Sequence, residues 1–267
     1  MPTPEAPAPE APTPEAPLVW TQPFQVRAYE VGPGDVASPL AIVDYFQEAA
    51  GEHAAALGIE TFKTAGGVAV WALSRIAMEI DRLPRWRDPV TVETWPSGRE
   101  GLRATRDLVL RGASGEALVR ARTVWFVLDL ARRRPVRLPP AVHAIQPPKR
   151  PAVLALGAPP EAPDAPQSSR AFTVGQADVD RNGHANHARF AAWALEAAPG
   201  APPFAGLRAL DLAFRAEAVL GDRVVSEASR GPTPEALGAA SGGTVVRHAI
   251  LHAETRRPLA LARTRWT

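Results

Sequence analysis

The chain contains no cysteine in its 267 residues. That excludes a disulfide framework, a thiolate metal site and a cysteine nucleophile. It also lacks any apolar run approaching the roughly 18–20 residues that cross a bilayer, and its amino terminus has no basic-then-apolar leader. A cytoplasmic protein with no membrane partner is expected. Dense lysine and arginine blocks and nucleic-acid motifs are missing too, the arginines being dispersed through amphipathic patterns, so nucleic acid is not an expected partner.

What is present is ordinary for a globular chain, 46% hydrophobic and 22% charged. The formal net charge is +2, and setting aside Glu5, Glu10 and Glu15 leaves about +5 on the remainder. Such a mildly basic surface suits an acidic protein partner or a phosphate-bearing ligand. Residues 1–19 repeat Pro, Ala and Glu with little apolar bulk, and read as a disordered tail because they cannot bury enough surface to offset chain entropy.

Residues 24–31 (FQVRAYEV) alternate apolar and polar, as a strand does. Ser38-Pro39 then offers an N-cap with proline at the first helical position. Leu40, Ile42, Val43, Phe46, Ala49, Ala50 and Leu57 follow at helical spacing, with Gly58 as the stop. Four β-patterned runs come next, at residues 68–83, 89–96, 101–112 and 117–130. Strand, long helix and antiparallel meander together predict a sheet wrapped round a central helix, the hotdog arrangement.

The order repeats after a proline-rich stretch. Residues 171–174 form a short apolar run, residues 176–198 (QADVDRNGHANHARFAAWALEAA) form a polar segment leading into a helix, and strands are expected over 207–219, 221–229, 244–252 and 259–267. Tyr45 to Ala50 lies over Trp193 to Ala198 at one constant offset, and at that offset Gly34, Val36 and Ser38 stand where Asn182, His184 and Asn186 stand. The expected organisation is a tail at 1–19, an N-terminal hotdog domain at 20–134, a Pro-rich linker at 135–169 and a C-terminal hotdog domain at 170–267 carrying the catalytic residues.

Asn182-Gly183 is a strong turn dipeptide, and Asp and Asn crowd turns for reasons of local hydrogen bonding. Yet the first copy makes its turn with Gly and Pro, so the carboxylate, amide and imidazole of the second copy exceed what turning requires. At a spacing of two, Asp180, Asn182 and His184 are expected on one face beside a helix N-terminus. They supply a base, a carbonyl-polarising donor and a proton carrier, which points to acyl transfer to water. A metal held by His184, His187, Asp178 and Asp180 is the competing idea, but the spacing fits no zinc or two-metal pattern, and neither metal nor cofactor is expected. Glu217, in an apolar strand pattern, is read either as a solvent-facing position or as a second carboxylate in the cleft of His184. Its counterpart in the first half is Leu83.

Residues 24–59, 71–98 and 176–197 resemble the acyl-ACP thioesterases, the bacterial relatives of the plastid enzymes. The Asp-x-Asn-x-His run, the following Trp-x-x-Glu helix and the Glu-containing strand stand in that family's order. The resemblance implies an α+β double hotdog, two antiparallel sheets each wrapped round a central long helix and joined in one chain. It implies hydrolysis of fatty acyl-acyl carrier protein, with the acyl chain on the carrier's phosphopantetheine, and it carries the catalytic roles onto Asp180, Asn182, His184 and Glu217. Plant members place a cysteine after that glutamate, where this chain has Ala218, so the chemistry must run through water or a carboxylate, with direct attack by Asp180 also open. Ile42, Phe46, Trp71 and Met78 are candidate lining for an acyl tunnel, and Arg85, Arg87, Arg132, Arg133 and Arg134 are candidate contacts for an acidic carrier. Acyl-CoA hydrolysis, a dehydratase and a non-catalytic acyl-binding hotdog protein are the alternatives, and either a monomer or a homodimer is compatible with the pattern.

Overall fold

The computed structural model describes residues 17–64, 67–200, 203–231 and 243–267, so most of the expected tail lies outside the described residues. The first half runs β1 (Trp20–Gln25), α1 (Pro39–Ala56), β2 (Thr61–Thr64), β3 (Gly67–Ile80), β4 (Pro89–Glu100), β5 (Arg103–Arg111) and β6 (Ala117–Asp129). A connecting segment holds β7 (Arg134–Val136) and α2 (Pro140–Ala144). The second half runs β8 (Ser168–Thr173), α3 (His187–Glu196), β9 (Leu207–Phe214), β10 (Arg223–Gly231), β11 (Thr244–His252) and β12 (Pro258–Trp266).

Helix α1 begins and ends where its capping residues dictate. Ser38 Oγ accepts from Leu40 N at 3.2 Å, Pro39 opens the first turn, and Gly58 leaves the helix at φ +67. Its buried face carries Ile42, Phe46, Ala49 and Ala50, which pack into one continuous core with Phe190, Trp193 and Leu195 of α3. Burial of a side chain such as Phe46 contributes about 1.5–3 kcal/mol.

Every strand pair is antiparallel, and β1-β4-β5-β6-β3 continues through the β3–β9 pair into β9-β12-β11-β10-β8. The second half mirrors the first about that seam. The two expected sheets are thus one twelve-stranded sheet among the described residues, because the edges of β3 and β9 pair instead of facing solvent. Helix α1 packs against β1 and β4, α3 packs against β8, β10, β11 and β12, and the helices touch each other. The second helix has 10 residues against 18 in the first, shorter than expected.

Two strand expectations are corrected. The first strand ends at Gln25, because the Glu30 carboxylate accepts from Arg27 N at 2.7 Å and folds residues 28–30 into a tight turn. The strand expected over 207–219 ends at Phe214, because Arg215 N and Ala216 N both donate to Leu259 O and lead the chain off the ladder. Glu217 therefore lies in a loop.

The proline-rich segment is tied to the sheet by side-chain bonds. Arg75 donates to Gly157 O and Ala158 O at 3.0 and 3.1 Å, Arg99 to Val142 O and Ile145 O, and Val153 N to Asp107. At the seam beneath it, buried Asp211 takes two bonds of 2.8 Å from Arg75 and one of 3.0 Å from Arg263. Among the described residues no helix is long and apolar enough to cross a membrane.

Candidate active site

The loop entering α3 is built by its own backbone. Asp180 N donates to His184 O at 2.8 Å, Gly183 N to Asp180 O at 3.0 Å with Gly183 at φ +78, and Asn186 N to Asp178 O at 2.8 Å. The loop entering α1 makes the same bonds, Gly32 N to Val36 O, Asp35 N to Gly32 O and Ser38 N to Glu30 O. Gly32, Gly34 and Val36 there stand for Asp180, Asn182 and His184. The backbone bonds of the turn therefore form without a carboxylate, amide or imidazole at those three positions.

The side chains divide into two groups. The Asp180 carboxylate accepts from Asn182 N at 2.8 Å, from His184 N at 3.4 Å and from Asn182 Nδ2 at 3.4 Å, so it grips the turn that carries His184. Asn182 is exposed at its rim. The imidazole of His184 makes no hydrogen bond to either among the described residues, so the expected common face of all three is only partly realised. Instead, His184 bridges to Val219 and Ala185 N donates to Ala218 O at 2.8 Å, clamping the loop of residues 217–222 alongside. This brings Glu217 Oε2 to 3.5 Å from His184 Nε2, with each side chain 36% exposed.

The first half completes the surroundings. Arg133, in the turn between β6 and β7, sets its Nη2 2.6 Å from Glu217 Oε2. Gln47 Oε1 of α1 accepts from His187 Nδ1 at 2.8 Å, and Asn186 Nδ2 donates to Asp44 at 3.4 Å. Burial holds His187 down to about 4, so it is neutral at physiological pH, and burial also raises the Asp44 carboxyl. Asn186 caps α3 by accepting from Ala188 N at 3.0 Å.

Gln47 also lines a small apolar cavity between α1 and the sheet, together with Val43, Phe46, Ala50, Ile76 and Trp125. Of the expected lining only Phe46 is there. Ile42 and Met78 are packed core, and Trp71 stacks edge-on against Phe62 while its Nε1 donates to Ile59 O at 2.7 Å. Sequence reasoning missed Gln47 and Arg133 as site residues. The signal for Gln47 is a polar residue on the buried face of a helix, whereas Arg133 stands in an arginine run that gives no indication of which member reaches Glu217.

Asp178, one of the metal-ligand alternatives, is occupied by Gly175 N at 2.8 Å and by Arg189 at 3.3 Å. Among the described residues no three His, Asp or Glu side chains are grouped to hold a metal ion.

Comparison with known proteins bears on this geometry. Residues 17–146 match the acyl-ACP thioesterase N-terminal domain. The chain is 32% identical over 198 residues to a chloroplastic palmitoyl-acyl carrier protein thioesterase of Gossypium hirsutum, covering 68% of this chain and 48% of the relative. It is 30% identical over 225 residues to the Arabidopsis thaliana protein of the same description, covering 75% and 52%. The chain thus spans about half the length of the curated relatives it matches. Among solved structures, the 12:0-ACP thioesterase from Umbellularia californica superposes with a TM-score of 0.77 at 24% identity, covering 94% of each chain. An acyl-ACP thioesterase from Bacteroides thetaiotaomicron gives 0.75 at 19% identity, covering 93% of this chain and 98% of that one. At these identities the two structures establish a common, hotdog-like fold.

Proposed function

We propose, from the match of residues 17–146 to the acyl-ACP thioesterase N-terminal domain and from the similarity to the plant relatives, that the chain is an acyl-ACP thioesterase and hydrolyses fatty acyl-acyl carrier protein to free fatty acid and the carrier's phosphopantetheine thiol. Glu217 takes a proton from water, and the resulting hydroxide adds to the thioester carbonyl carbon. The carbonyl oxygen becomes an oxyanion, received by the amide of Asn182 and backbone N–H groups at the start of α3. The tetrahedral intermediate collapses with loss of the thiolate, which His184 protonates, and the proton that Glu217 took from water passes to His184 in turn. Asp180 holds the turn that aims His184.

The observation that carries this reading is the approach of Glu217 Oε2 to His184 Nε2 at 3.5 Å, in a half whose twin has Leu83 and Val36 at those places. We also take each half as one hotdog unit, the domains meeting at the β3–β9 seam, a view supported by the mirrored strand order. The acyl chain would enter between α1 and the sheet by widening the small cavity there, whose lining is apolar apart from Gln47 and Thr123.

Thiol release from a series of acyl-ACP and acyl-CoA thioesters, with Glu217→Gln and His184→Gln beside the unaltered protein, tests the proposal. Turnover that either substitution lowers by about 10²–10⁴-fold supports it. Tight binding of acyl thioesters with no turnover in the unaltered protein contradicts it.

A further inference from the structure

Glu217 draws its nearest partner from the other half of the chain. Arg133 sits in the turn between β6 and β7 at φ +49, a left-handed backbone that costs a non-glycine residue some strain. Its neighbour Arg132 stays on Asp129, through a backbone bond of 2.9 Å and a guanidinium contact of 3.9 Å, and Arg134 is drawn into β7. Of the three consecutive arginines, Arg133 is the one that reaches the site, its Nη2 2.6 Å from Glu217 Oε2. That oxygen is also the one 3.5 Å from His184 Nε2.

The Arg133 side chain is 74% exposed, and an ion pair so open to solvent adds little to folding stability. Its value lies in geometry. A glutamate in a loop rotates about three side-chain bonds, and a general base that samples many rotamers seldom meets its water in line with the carbonyl. With Oε2 fixed between Arg133 and His184, Oε1 is left to take the proton of that water.

We infer that Arg133 is a positioning residue, acting across the two halves to hold Glu217 against His184 for hydrolysis. The inference rests on the functional reading above, and it makes the second-half site dependent on a first-half turn. An exposed guanidinium has other uses, such as docking an acidic carrier surface or the phosphate of the phosphopantetheine arm, and these leave a different kinetic signature.

The test measures kcat and KM of the unaltered protein, Arg133→Gln and Arg133→Lys on two substrates, acyl-ACP and an acyl-pantetheine that has neither carrier nor phosphate. The Gln variant is expected to lose about ten- to a hundred-fold in kcat on both substrates, with KM changed by less than about twofold, and Lys is expected to restore most of the loss. In a Glu217→Gln background, Arg133→Gln should add less than about twofold, because its target is already gone. A loss confined to KM and to acyl-ACP overturns the inference in favour of docking. An equal loss with and without Glu217 overturns it as well. If the unaltered protein turns over neither substrate, the functional reading itself fails.

Discussion

Leu83 and Glu217 occupy equivalent points of the two halves. The residue after each offers its carbonyl to a helix-entering loop, Pro84 O accepting from Ala37 N at 2.8 Å and Ala218 O from Ala185 N at 2.8 Å. Leu83 is 6% exposed and part of the core, while Glu217 is a carboxylate facing an imidazole. One backbone scaffold thus carries packing in one copy and a polar pair in the other.

The fold should therefore tolerate Glu217→Leu, since the first copy already folds with leucine there. The expected result is a Tm within a few degrees of the unaltered protein and a loss of turnover of about 10²–10⁴-fold. Thermal melts and thiol release measured together check it. A variant that fails to fold would show that the two loops are not interchangeable.

Asp180 and Glu217 should separate under amide substitution. Asparagine keeps an oxygen able to accept from the N–H groups of Asn182 and His184, so Asp180→Asn preserves the turn and is expected to cost less in kcat than Glu217→Gln. Steady-state kinetics of the two variants decide the ranking. An equal or larger loss at Asp180 would make that residue the base or nucleophile.

Acid should destabilise the protein through the histidines that packing keeps neutral. Burial lowers His53 to about 4, His187 to about 4 and His248 to about 3, against about 6.5 in an unfolded chain. Because the folded values are depressed, the stability these neutral rings contribute is complete above about pH 6.5 and is lost as pH falls through about 4. Urea melts between pH 7 and pH 4 should show the decline. His187→Gln, which can still bond Gln47, should decline less steeply. An unchanged slope would contradict a buried neutral His187.

At the seam, Asp211→Ala should destabilise by about 3–5 kcal/mol, because it leaves Arg75 and Arg263 largely buried without their carboxylate. Denaturant unfolding measures this directly. A loss below about 1 kcal/mol would mean that the carbonyls of Gly157 and Ala158 suffice for both guanidiniums.

The cavity under α1 gives a further check. Ala50 is part of its lining, so Ala50→Leu fills space that the acyl chain is proposed to use. The preferred chain should become shorter by a few carbons in a thioester series, with the rate on the shortest substrates kept. An unchanged preference would place the acyl chain elsewhere.

Much of this was legible in the sequence because it rests on local rules. Ser38-Pro39 and Gly58 announced α1, alternation announced β3 to β6, and the constant offset between Tyr45 and Trp193 announced two similar halves. Other features depended on contacts that pattern does not encode. Nothing in β3 or β9 alone states that their edges pair, and the apolar run at 207–219 hid the departure at Arg215, where two N–H groups share the carbonyl of Leu259. The polar run marked the loop that carries the candidate site, but spacing could not show that Asp180 would turn inward to its own loop while His184 turned toward Glu217. Arg133 and Gln47 come from a turn and a helix of the other half, so only the three-dimensional arrangement reveals them.

The most direct test is thiol release by the purified protein from acyl-ACP, short to long, beside Glu217→Gln. With no cysteine in the chain, the thiol signal has no background from the protein's own side chains. Hydrolysis of at least one acyl-ACP, falling about 10²–10⁴-fold in the variant, is the predicted result. Hydrolysis that survives the loss of the Glu217 carboxylate, or none at all with the folded unaltered protein, would contradict the account.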